Sequence, residues 1–511
     1  MLAKVQSAAV FGIDAYIVKV ELDISEGLPY FNTVGLPDAS VKEAKDRVAA
    51  AIKNSSFYFP IKRITANLAP ADIRKEGSAF DLPLAVAVLI ATGQVSDEKL
   101  SDIAILGELS MDGSIRPIKG ALPIAIGVRN DSIKGIILPK DNGREAAVVE
   151  NIDIYPAENL RQVVDFLNGR KDIEPYHYDI AEAFARSSEY SIDFSDVKGQ
   201  EHVKRALEVA AAGGHNTIMV GPPGSGKSML AMRLPTILPD MSMEEALETT
   251  KIYSVSGAMP FDSALIATRP FRSPHHTISD AGLVGGGKIP KPGEVSLAHN
   301  GILFLDELPE FDKSALEVMR QPLEAGSVTI SRASATLTYP ASFMLAAAMN
   351  PCPCGRRFDP TKECRCTPPQ VQKYMAKISG PLLDRIDIHL EVPAVPYEKL
   401  MGEPTGESSQ IIRDRVNEAR QIQNRRFAEE HGHCNAHMQP KQIRKYCRME
   451  DGASKLLETA IKQLGLSARA YDRILKVSRT IADLAKSDII KTEHISEAIQ
   501  YRSLDRNLWL Y

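Results

Sequence analysis

Long apolar runs and an excess of basic residues are both missing from this sequence, and each absence excludes a class of protein. The longest charge-free apolar run, Leu82 to Val95, is too short to cross a bilayer and contains Pro83 and Gly93, so we predict a buried helix there. The net charge of −4 and the pI near 6.3 exclude a surface that coats nucleic acid, but they allow a local basic patch or pore. No N-terminal stretch resembles a signal peptide, and we expect a cytoplasmic protein with no membrane partner.

Cysteine is also scarce, because the 511 residues include six, and four of these lie close together. Such a group in a reducing compartment indicates a metal cluster rather than a disulfide framework. Cys352, Cys354, Cys364 and Cys366 provide the four thiolates of a tetrahedral structural zinc site. Only one residue separates the members of each pair, whereas zinc knuckles usually have two to four, so free thiols or redox chemistry stay open as alternatives.

A phosphate-binding motif follows a short apolar strand, Thr217 to Val220. The segment from Gly221 to Ser228 fits the pattern G-x-x-x-x-G-K-[ST], in which backbone N–H groups surround phosphates. Its lysine reaches the β- and γ-phosphates and its final hydroxyl binds Mg²⁺. The predicted nucleotide-binding residues are Gly221, Pro222, Pro223, Gly224, Ser225, Gly226, Lys227 and Ser228.

Two further strands provide the polar residues that ATP hydrolysis requires. The four apolar residues 302–305 predict a buried parallel strand that ends at Asp306 and Glu307. Asp306 is suited to binding Mg²⁺ together with the loop serine, and Glu307 to polarising a water molecule. Residues 343–349 predict another buried strand, and Asn350 at its end is placed to orient the attacking water. The predicted cofactors are ATP and Mg²⁺, and the alternative is a core strand that ends in solvated acids.

The first 170 residues have the pattern of an α+β domain. Residues 16–24 alternate between apolar and polar as a half-buried strand does, and helical and strand patterns follow in turn. The segments 107–120 and 138–142 resemble the proteolytic domain of Lon proteases, which has the ribosomal S5 domain 2-like fold, and the related domain of RadA.

The catalytic dyad of Lon is not evident in this domain. Ser78 is a loosely placed counterpart of the Lon serine, and Gly120-Ala121-Leu122 stands where Lon has its lysine. Since no amine is available to deprotonate a serine, we expect a scaffold or a nucleic-acid-contacting domain rather than a peptidase.

Two segments of the ATPase region are candidates for contact with a polyanion. The insertion 254–299 is glycine-rich and carries Lys288 and Lys291, although a flexible connection explains it equally well. Residues 328–339 predict a β-hairpin with Arg332 close to its tip.

From Val197 onward the sequence resembles the magnesium-chelatase/MCM branch of AAA+ ATPases, and with its first domain it resembles the bacterial ComM/YifB family. The resemblance implies that Asn350 is sensor 1. It also implies that Arg385, within Pro381 to Asp387, is an arginine finger that reaches a neighbour's nucleotide, and that Arg469 is the sensor 2 arginine. Without the motifs, an exposed charge or an ion pair is the simpler interpretation of each arginine.

The same resemblance assigns the DNA contacts and the function. Arg332 corresponds to the hairpin lysine by which MCM rings hold a DNA strand, and the insertion around Lys288 and Lys291 corresponds to the helix-2 insert facing the same pore. The implied protein is a homohexameric DNA helicase or branch-migration motor that acts on single-stranded or branched DNA, helping to integrate incoming strands in natural transformation. The alternatives are the motor subunit of a magnesium chelatase and a Lon-like peptidase or protein remodeller.

The expected fold class is α/β, with four successive segments along the chain. Residues 1–170 form the Lon-like domain, 171–195 a linker, 196–396 an AAA+ core with a parallel sheet, and 397–511 a helical lid.

Overall fold

The chain folds as two units that are interleaved in sequence. The computed structural model describes residues 2–75, 77–131, 133–180, 184, 190–260, 263–287, 290–332, 335–357, 363–395, 406–429, 434–464, 467–502 and 504. The first unit comprises residues 1–188 and 246–267, and the second comprises residues 189–245 and 268–511. Part of the segment between the two nucleotide motifs therefore belongs to the first unit.

A mixed seven-stranded sheet forms the centre of the first unit. The strands are β1 (Leu2–Phe11), β2 (Asp14–Ser25), β3 (Tyr30–Val34), β4 (Arg63–Ala69), β5 (Ile103–Ile105), β6 (Glu108–Leu109), β7 (Ile115–Arg116), β8 (Gly135–Pro139) and β9 (Asp153–Ala157). The sheet order is β3-β4-β2-β1-β5-β8-β9, and β6 pairs with β7 in a separate ribbon. In β2, Val18, Val20 and Leu22 are buried, which confirms the strand predicted from their alternation with polar residues.

Among the described residues before the second unit, the helices that accompany this sheet are α1 (Ala39–Asn54), α2 (Asp81–Ala91), α3 (Ala121–Asn130), α4 (Gly143–Ala146) and α5 (Leu160–Leu167). Helix α1 begins where the Asp38 carboxylate accepts a hydrogen bond from the Val41 N–H. Helix α2 is buried on almost every side, which confirms the helix predicted from the apolar run. Among the described residues, no helix combines the length and the apolar character that a membrane span requires.

A parallel five-stranded sheet forms the centre of the second unit. The strands are β10 (Thr217–Val220), β11 (Phe271–Arg272), β12 (Gly285–Gly286), β13 (Lys291–Pro292), β14 (Ile302–Leu305), β15 (Ser327–Arg332), β16 (Ala335–Pro340), β17 (Met344–Met349) and β18 (Ile388–Glu391). The order β11-β14-β17-β10-β18 makes β10 and β17 inner strands. Antiparallel pairs β12–β13 and β15–β16 lie outside the sheet, and the second is the predicted hairpin.

The helices of this part of the chain either surround the sheet or form a C-terminal helical region. They are α6 (Glu201–Gly213), α7 (Lys227–Arg233), α8 (Met243–Ser256), α9 (Asp280–Val284), α10 (Glu294–Leu297), α11 (Lys313–Val318), α12 (Arg320–Ala325), α13 (Pro368–Met375), α14 (Gly380–Leu383), α15 (Ser409–Phe427), α16 (Pro440–Tyr446), α17 (Asp451–Leu464), α18 (Ala468–Leu484) and α19 (Thr492–Gln500). The parallel sheet and the C-terminal helices confirm the predicted fold class.

The segment 246–267, which includes most of α8, is bound to the first unit by main-chain and charged contacts. The Gly120 N–H donates to the Ser254 carbonyl at 3.1 Å. The Lys251 ammonium lies 3.0 Å from the Asp14 carboxylate. These contacts join groups that are far apart in sequence, which explains why the pattern of residues along the chain does not reveal them.

Candidate functional site

The phosphate loop connects β10 to α7, at the carboxyl end of an inner strand. Gly224 and Gly226 have φ angles of +78° and +88°, in the left-handed region that favours glycine. A side chain at Gly221 would place its Cβ 2.1 Å from the Val392 carbonyl oxygen. The backbone of the loop therefore has the tight form that exposes N–H groups to a phosphate.

Lys227 lies within this loop and is nearly buried. Its ammonium group donates to the carbonyls of Gly221 and Pro222 at 2.8 and 2.9 Å, and it lies 3.4 Å from the Asn350 side-chain oxygen. Burial lowers the pKa of Lys227, and the nearby carboxylates of Asp306 and Glu307 oppose that shift. The structure thus brings together the predicted lysine and the predicted sensor 1 residue.

The acidic pair follows β14 and faces the start of α7. The Ser228 hydroxyl donates to the Asp306 carboxylate at 2.6 Å, so the two predicted Mg²⁺ ligands are adjacent. A hydroxyl and a carboxylate are the oxygen ligands that this ion prefers, and the residues present therefore fit Mg²⁺. Glu307 has a φ of +52°, which is unusual for a residue with a side chain, and its carboxylate remains 59% exposed.

Two residues at this site were not assigned from the sequence. His276 has its Nδ1 3.8 Å from the Glu307 carboxylate and packs edge-on against Phe311. Gln200 donates from its side-chain amide to the carbonyls of Ser225 and Pro393, at 2.9 and 2.8 Å. In the sequence, His276 is recognisable only as one of two adjacent histidines within the insertion 254–299, and Gln200 only as a polar residue just before α6.

The predicted arginine finger and the sensor 2 arginine lie together in a different place. Arg385 and Arg469 line one cavity of about 570 Å³, and the described residues that line it include none from the phosphate loop, the acidic pair or Asn350. Arg385 donates to the Pro381 carbonyl and the Glu324 carboxylate, while Arg469 donates to Asp384 at 2.7 Å.

The guanidinium of Arg385 is only partly satisfied within its own chain. Its Nε is buried and has no hydrogen-bond acceptor among the described residues. Burial lowers the pKa of Arg385, and Arg320 and Arg469 act in the same direction. A phosphate that entered this cavity would gain a charge-assisted contact.

Two of the three predicted DNA-contacting residues, Arg332 and Lys291, lie on the two small antiparallel pairs. Arg332 ends β15, and its Nε donates to the Gly287 carbonyl at 3.3 Å. Lys291 pairs with Gly286 across β12 and β13, and both cationic side chains are exposed. Lys288 lies outside the described residues. The structure therefore brings Arg332 close to the insertion that carries Lys291.

The four clustered cysteines follow Asn350, and their sulfur atoms lie within 4.8 Å of one another. The sulfur of Cys352 is 3.4 Å from that of Cys354 and 3.7 Å from that of Cys364, and Cys354 and Cys364 are 3.6 Å apart. Zn–S bonds of about 2.3 Å in a tetrahedron would separate sulfur atoms by about 3.8 Å. The residues present therefore fit a four-thiolate zinc ion despite their short spacing in sequence.

The region of the first unit that corresponds to the Lon dyad has different chemistry. The Ser78 hydroxyl donates to the Glu108 carboxylate, and among the described residues it has no amine partner. At the position of the Lon lysine, the Leu122 N–H donates to the buried Glu145 carboxylate at 3.0 Å, and burial raises the pKa of Glu145. This arrangement lacks the amine that deprotonates the serine in a Lon-type dyad.

Comparison with known proteins assigns most of the chain to described families. Residues 193–400 match the family "Magnesium chelatase, subunit ChlI", residues 20–142 match "Subunit ChlI of Mg-chelatase", and residues 406–502 match "Magnesium chelatase, subunit ChlI C-terminal". The magnesium-chelatase 67 kDa subunit of Chlorobaculum parvum is 28% identical over 31% of this chain and 23% of its own length.

Two relatives match over the full length. The competence protein ComM of Haemophilus influenzae is 46% identical over 99% of this chain and 98% of its own length. The protein YifB of Escherichia coli, which has no described function, is also 46% identical, with the same two shares. The chain therefore belongs to the ComM/YifB family, whose AAA+ core is of the magnesium-chelatase type.

Proposed function

We propose that this chain is an ATP-driven DNA motor that works as a ring of six subunits. Its AAA+ core implies an ATPase that uses ATP and Mg²⁺. The observation that carries the DNA part is the basic region formed by Arg332 and Lys291, where two exposed hairpins of the ATPase core meet. The relative ComM is described as a competence protein, which supports a role in the integration of incoming DNA.

Hydrolysis follows from the groups gathered at the ends of β10, β14 and β17. A Mg²⁺ held by Ser228 and Asp306 would neutralise charge on the β- and γ-phosphates. Lys227 donates to the same phosphates from within the loop. Glu307 accepts the proton of the attacking water, and Asn350 holds that water in line with the γ-phosphate.

The separation of the arginines from the phosphate loop supports the proposed ring. Arg385 and Arg469 share a cavity that includes no part of the nucleotide site of their own chain. In the proposed ring they act on the nucleotide of the adjacent subunit, where an arginine stabilises the charge of the transition state. Hydrolysis is then coupled to assembly, because one subunit provides the phosphate loop and another provides the arginines.

The contact with DNA is proposed to be with the phosphate backbone. Arg332 lies at the end of β15 and Lys291 at the start of β13, and both side chains are exposed. Such contacts position a strand without reading its sequence. A ring with one basic projection per subunit can therefore hold strands of any sequence.

Zinc is the second metal of the proposal, held by Cys352, Cys354, Cys364 and Cys366. Elemental analysis of protein purified without added metal should give about one zinc per chain. A folded protein that contains no metal and takes up none when zinc is added would contradict this assignment.

ATP hydrolysis by the full-length protein, with and without DNA, tests the proposed function. We expect single strands and forked duplexes of unrelated sequences to stimulate hydrolysis by wild-type protein, and not by Glu307→Gln. Hydrolysis that is indifferent to every DNA substrate would contradict the proposal and favour the metal-insertion alternative, to which the chelatase families point.

A further inference from the structure

The cysteine cluster is built onto the nucleotide site through the chain that follows β17. Asn350 directly follows this strand, and Cys352, which is fully buried, comes two residues later. The Gly355 N–H donates to the Cys352 carbonyl at 2.9 Å and closes a turn. The polypeptide that holds the first pair of thiols is thus continuous with the residue placed to orient the attacking water.

This turn also lies directly against the phosphate loop. Gly355 has a φ of +75°, and a Cβ at this position would lie 2.5 and 2.8 Å from the Cδ and Cγ atoms of the Pro223 ring. The same Cβ would lie 3.7 Å from the Asn350 side chain. The backbone of Gly355 therefore packs against Pro223 at a distance that only glycine permits.

The second pair of thiols leads back to the same place. Cys366 precedes Thr367, which caps α13; burial raises the pKa of Tyr374 on this helix, and the nearby Asn350 backbone acts against that shift. Both ends of the cysteine segment therefore lie near Asn350, at the catalytic edge of the sheet. Among the described residues, no hydrogen bond joins any of the four thiols to the phosphate loop, so we assign the effect of a metal to the backbone of the turn.

We propose that the metal held by the four cysteines braces the phosphate loop through the contact between Gly355 and Pro223. This inference depends on the proposed metal site and not on the proposed action on DNA. A metal bound by all four cysteines joins the two ends of the segment 352–366. Because the free energy of metal binding stabilises the local fold, conformations in which the turn at Gly355 moves away from Pro223 become less populated. The metal and the nucleotide then stabilise the same arrangement of the chain.

Two sites coupled in this way affect each other equally. If the metal raises the affinity for nucleotide by some factor, nucleotide must raise the affinity for the metal by the same factor. Couplings between distinct sites are typically about 5- to 150-fold. The proposal therefore predicts a reciprocal effect, which is independent of ATP turnover.

The test measures both directions on the full-length protein. One arm follows binding of a fluorescent, non-hydrolysable ATP analogue to zinc-loaded protein, to protein stripped by a zinc-selective chelator in excess Mg²⁺, and to stripped protein with zinc restored. The other arm follows the zinc affinity by competition with a chromophoric chelator, with and without the analogue. We expect removal of zinc to weaken analogue binding at least fivefold, zinc addition to restore it, and the analogue to raise zinc affinity by the same factor.

A glycine substitution separates the brace from the metal itself. Gly355→Ala should retain one zinc per chain but lose most of the coupling, because the new Cβ displaces the turn from Pro223. Gly326→Ala is the matched control, since Gly326 also has a left-handed φ, of +64°, but its Cβ would lie in ordinary contact with Ser342, 3.7 Å away. The control should retain both binding constants and the coupling.

Equal analogue affinity in the presence and absence of zinc would overturn the proposal, as would protein that binds no zinc. Full coupling in Gly355→Ala would overturn the assignment of the contact. If this variant is unstable, the wild-type protein alone decides, because stripping and restoring zinc requires no substitution. A failure to act on DNA would leave each of these measurements in place.

Discussion

Each unit contains a glycine-bearing loop that leads into a helix, and the two loops differ in what surrounds them. In the second unit, Lys227 lies beside Asn350, and the two carboxylates that follow β14 attract its positive charge. In the first unit, Ser78 faces Glu108, and Leu122 occupies the place of the Lon lysine. The loop of the second unit has the groups that phosphate chemistry requires, whereas the loop of the first unit lacks the amine of a Lon-type dyad. Similarity of fold therefore carries less functional weight than the set of groups that meet at a site.

Substitution of the proposed arginine finger should have the largest effect. Arg385→Ala should lower ATP hydrolysis by the assembled protein about 10³- to 10⁵-fold, because the transition-state charge loses its partner from the adjacent subunit. Arg425→Ala, which removes an exposed arginine of α15, is the control and should hydrolyse ATP normally.

Mixing two inactive variants checks that the finger acts between subunits. Lys227→Ala should not bind nucleotide but still carries Arg385, whereas Arg385→Ala binds nucleotide but lacks the finger. Mixed rings should regain part of the activity. A mixture as inactive as its components, in rings shown to contain both, would contradict the assignment in trans.

Substitution of the proposed base should have the next largest effect. Glu307→Gln should bind ATP with little change but hydrolyse it about 10²- to 10⁴-fold more slowly, because an amide cannot accept the proton of the water. Glu310→Gln is a close control, because Glu310 lies only three residues after Glu307 but accepts a hydrogen bond from Lys377 at 3.2 Å. This variant should hydrolyse ATP at the wild-type rate. Hydrolysis by Glu307→Gln at the parental rate would require a different base.

The charged groups near Ser78 should affect stability rather than catalysis. Asp81 is fully buried and accepts hydrogen bonds from Arg47 at 2.7 and 3.0 Å. Arg47→Leu leaves this carboxylate without its partner and should destabilise the first unit by about 3 kcal/mol, near the lower end for a buried pair because Arg47 is partly exposed. Chemical denaturation measures this loss.

Ser78→Ala completes the comparison between the two loops. Because the serine is not required for a reaction, this variant should match the wild type in ATP hydrolysis and in DNA binding, and neither protein should cleave an unfolded polypeptide. Cleavage of the polypeptide by the wild type but not by Ser78→Ala would show that the first unit is a peptidase.

Substitution at the hairpin should give the smallest effect. Arg332→Ala should weaken binding to single strands of any sequence and flatten the salt dependence, since each lost phosphate contact removes about 0.7 from the slope. In the proposed ring several subunits engage one strand, so the change should exceed that of a single contact. Basal ATP hydrolysis should persist, and Lys313→Ala, on the exposed side of α11, should leave the slope unchanged.

The nucleotide site was predictable because its parts are encoded locally. The glycine pattern, Lys227 and the acids that follow an apolar strand are each recognisable within a few residues, and parallel strands bring their ends to one edge. The approach of His276 to Glu307 and of Gly355 to Pro223 was not predictable. These contacts join segments far apart in sequence, and they depend on how loops pack rather than on any local pattern.

The same reasoning applies to the boundary between the units. Nothing in the sequence of 246–267 distinguishes it from the surrounding ATPase region, yet Ser254 and Lys251 bind groups of the first unit. Hydrogen bonds between such distant groups form only in the folded chain. In contrast, α2 was predictable because a run of apolar residues is buried whatever its neighbours are.

Displacement of a labelled strand from a forked duplex tests the central claim most directly. The wild-type protein with ATP and Mg²⁺ should release the strand, at a rate that falls to background with a non-hydrolysable analogue, with Glu307→Gln, or with Arg385→Ala. Rapid ATP hydrolysis by intact rings bound to the fork, with no strand released and no branch point moved, would contradict the account of this chain as a DNA motor.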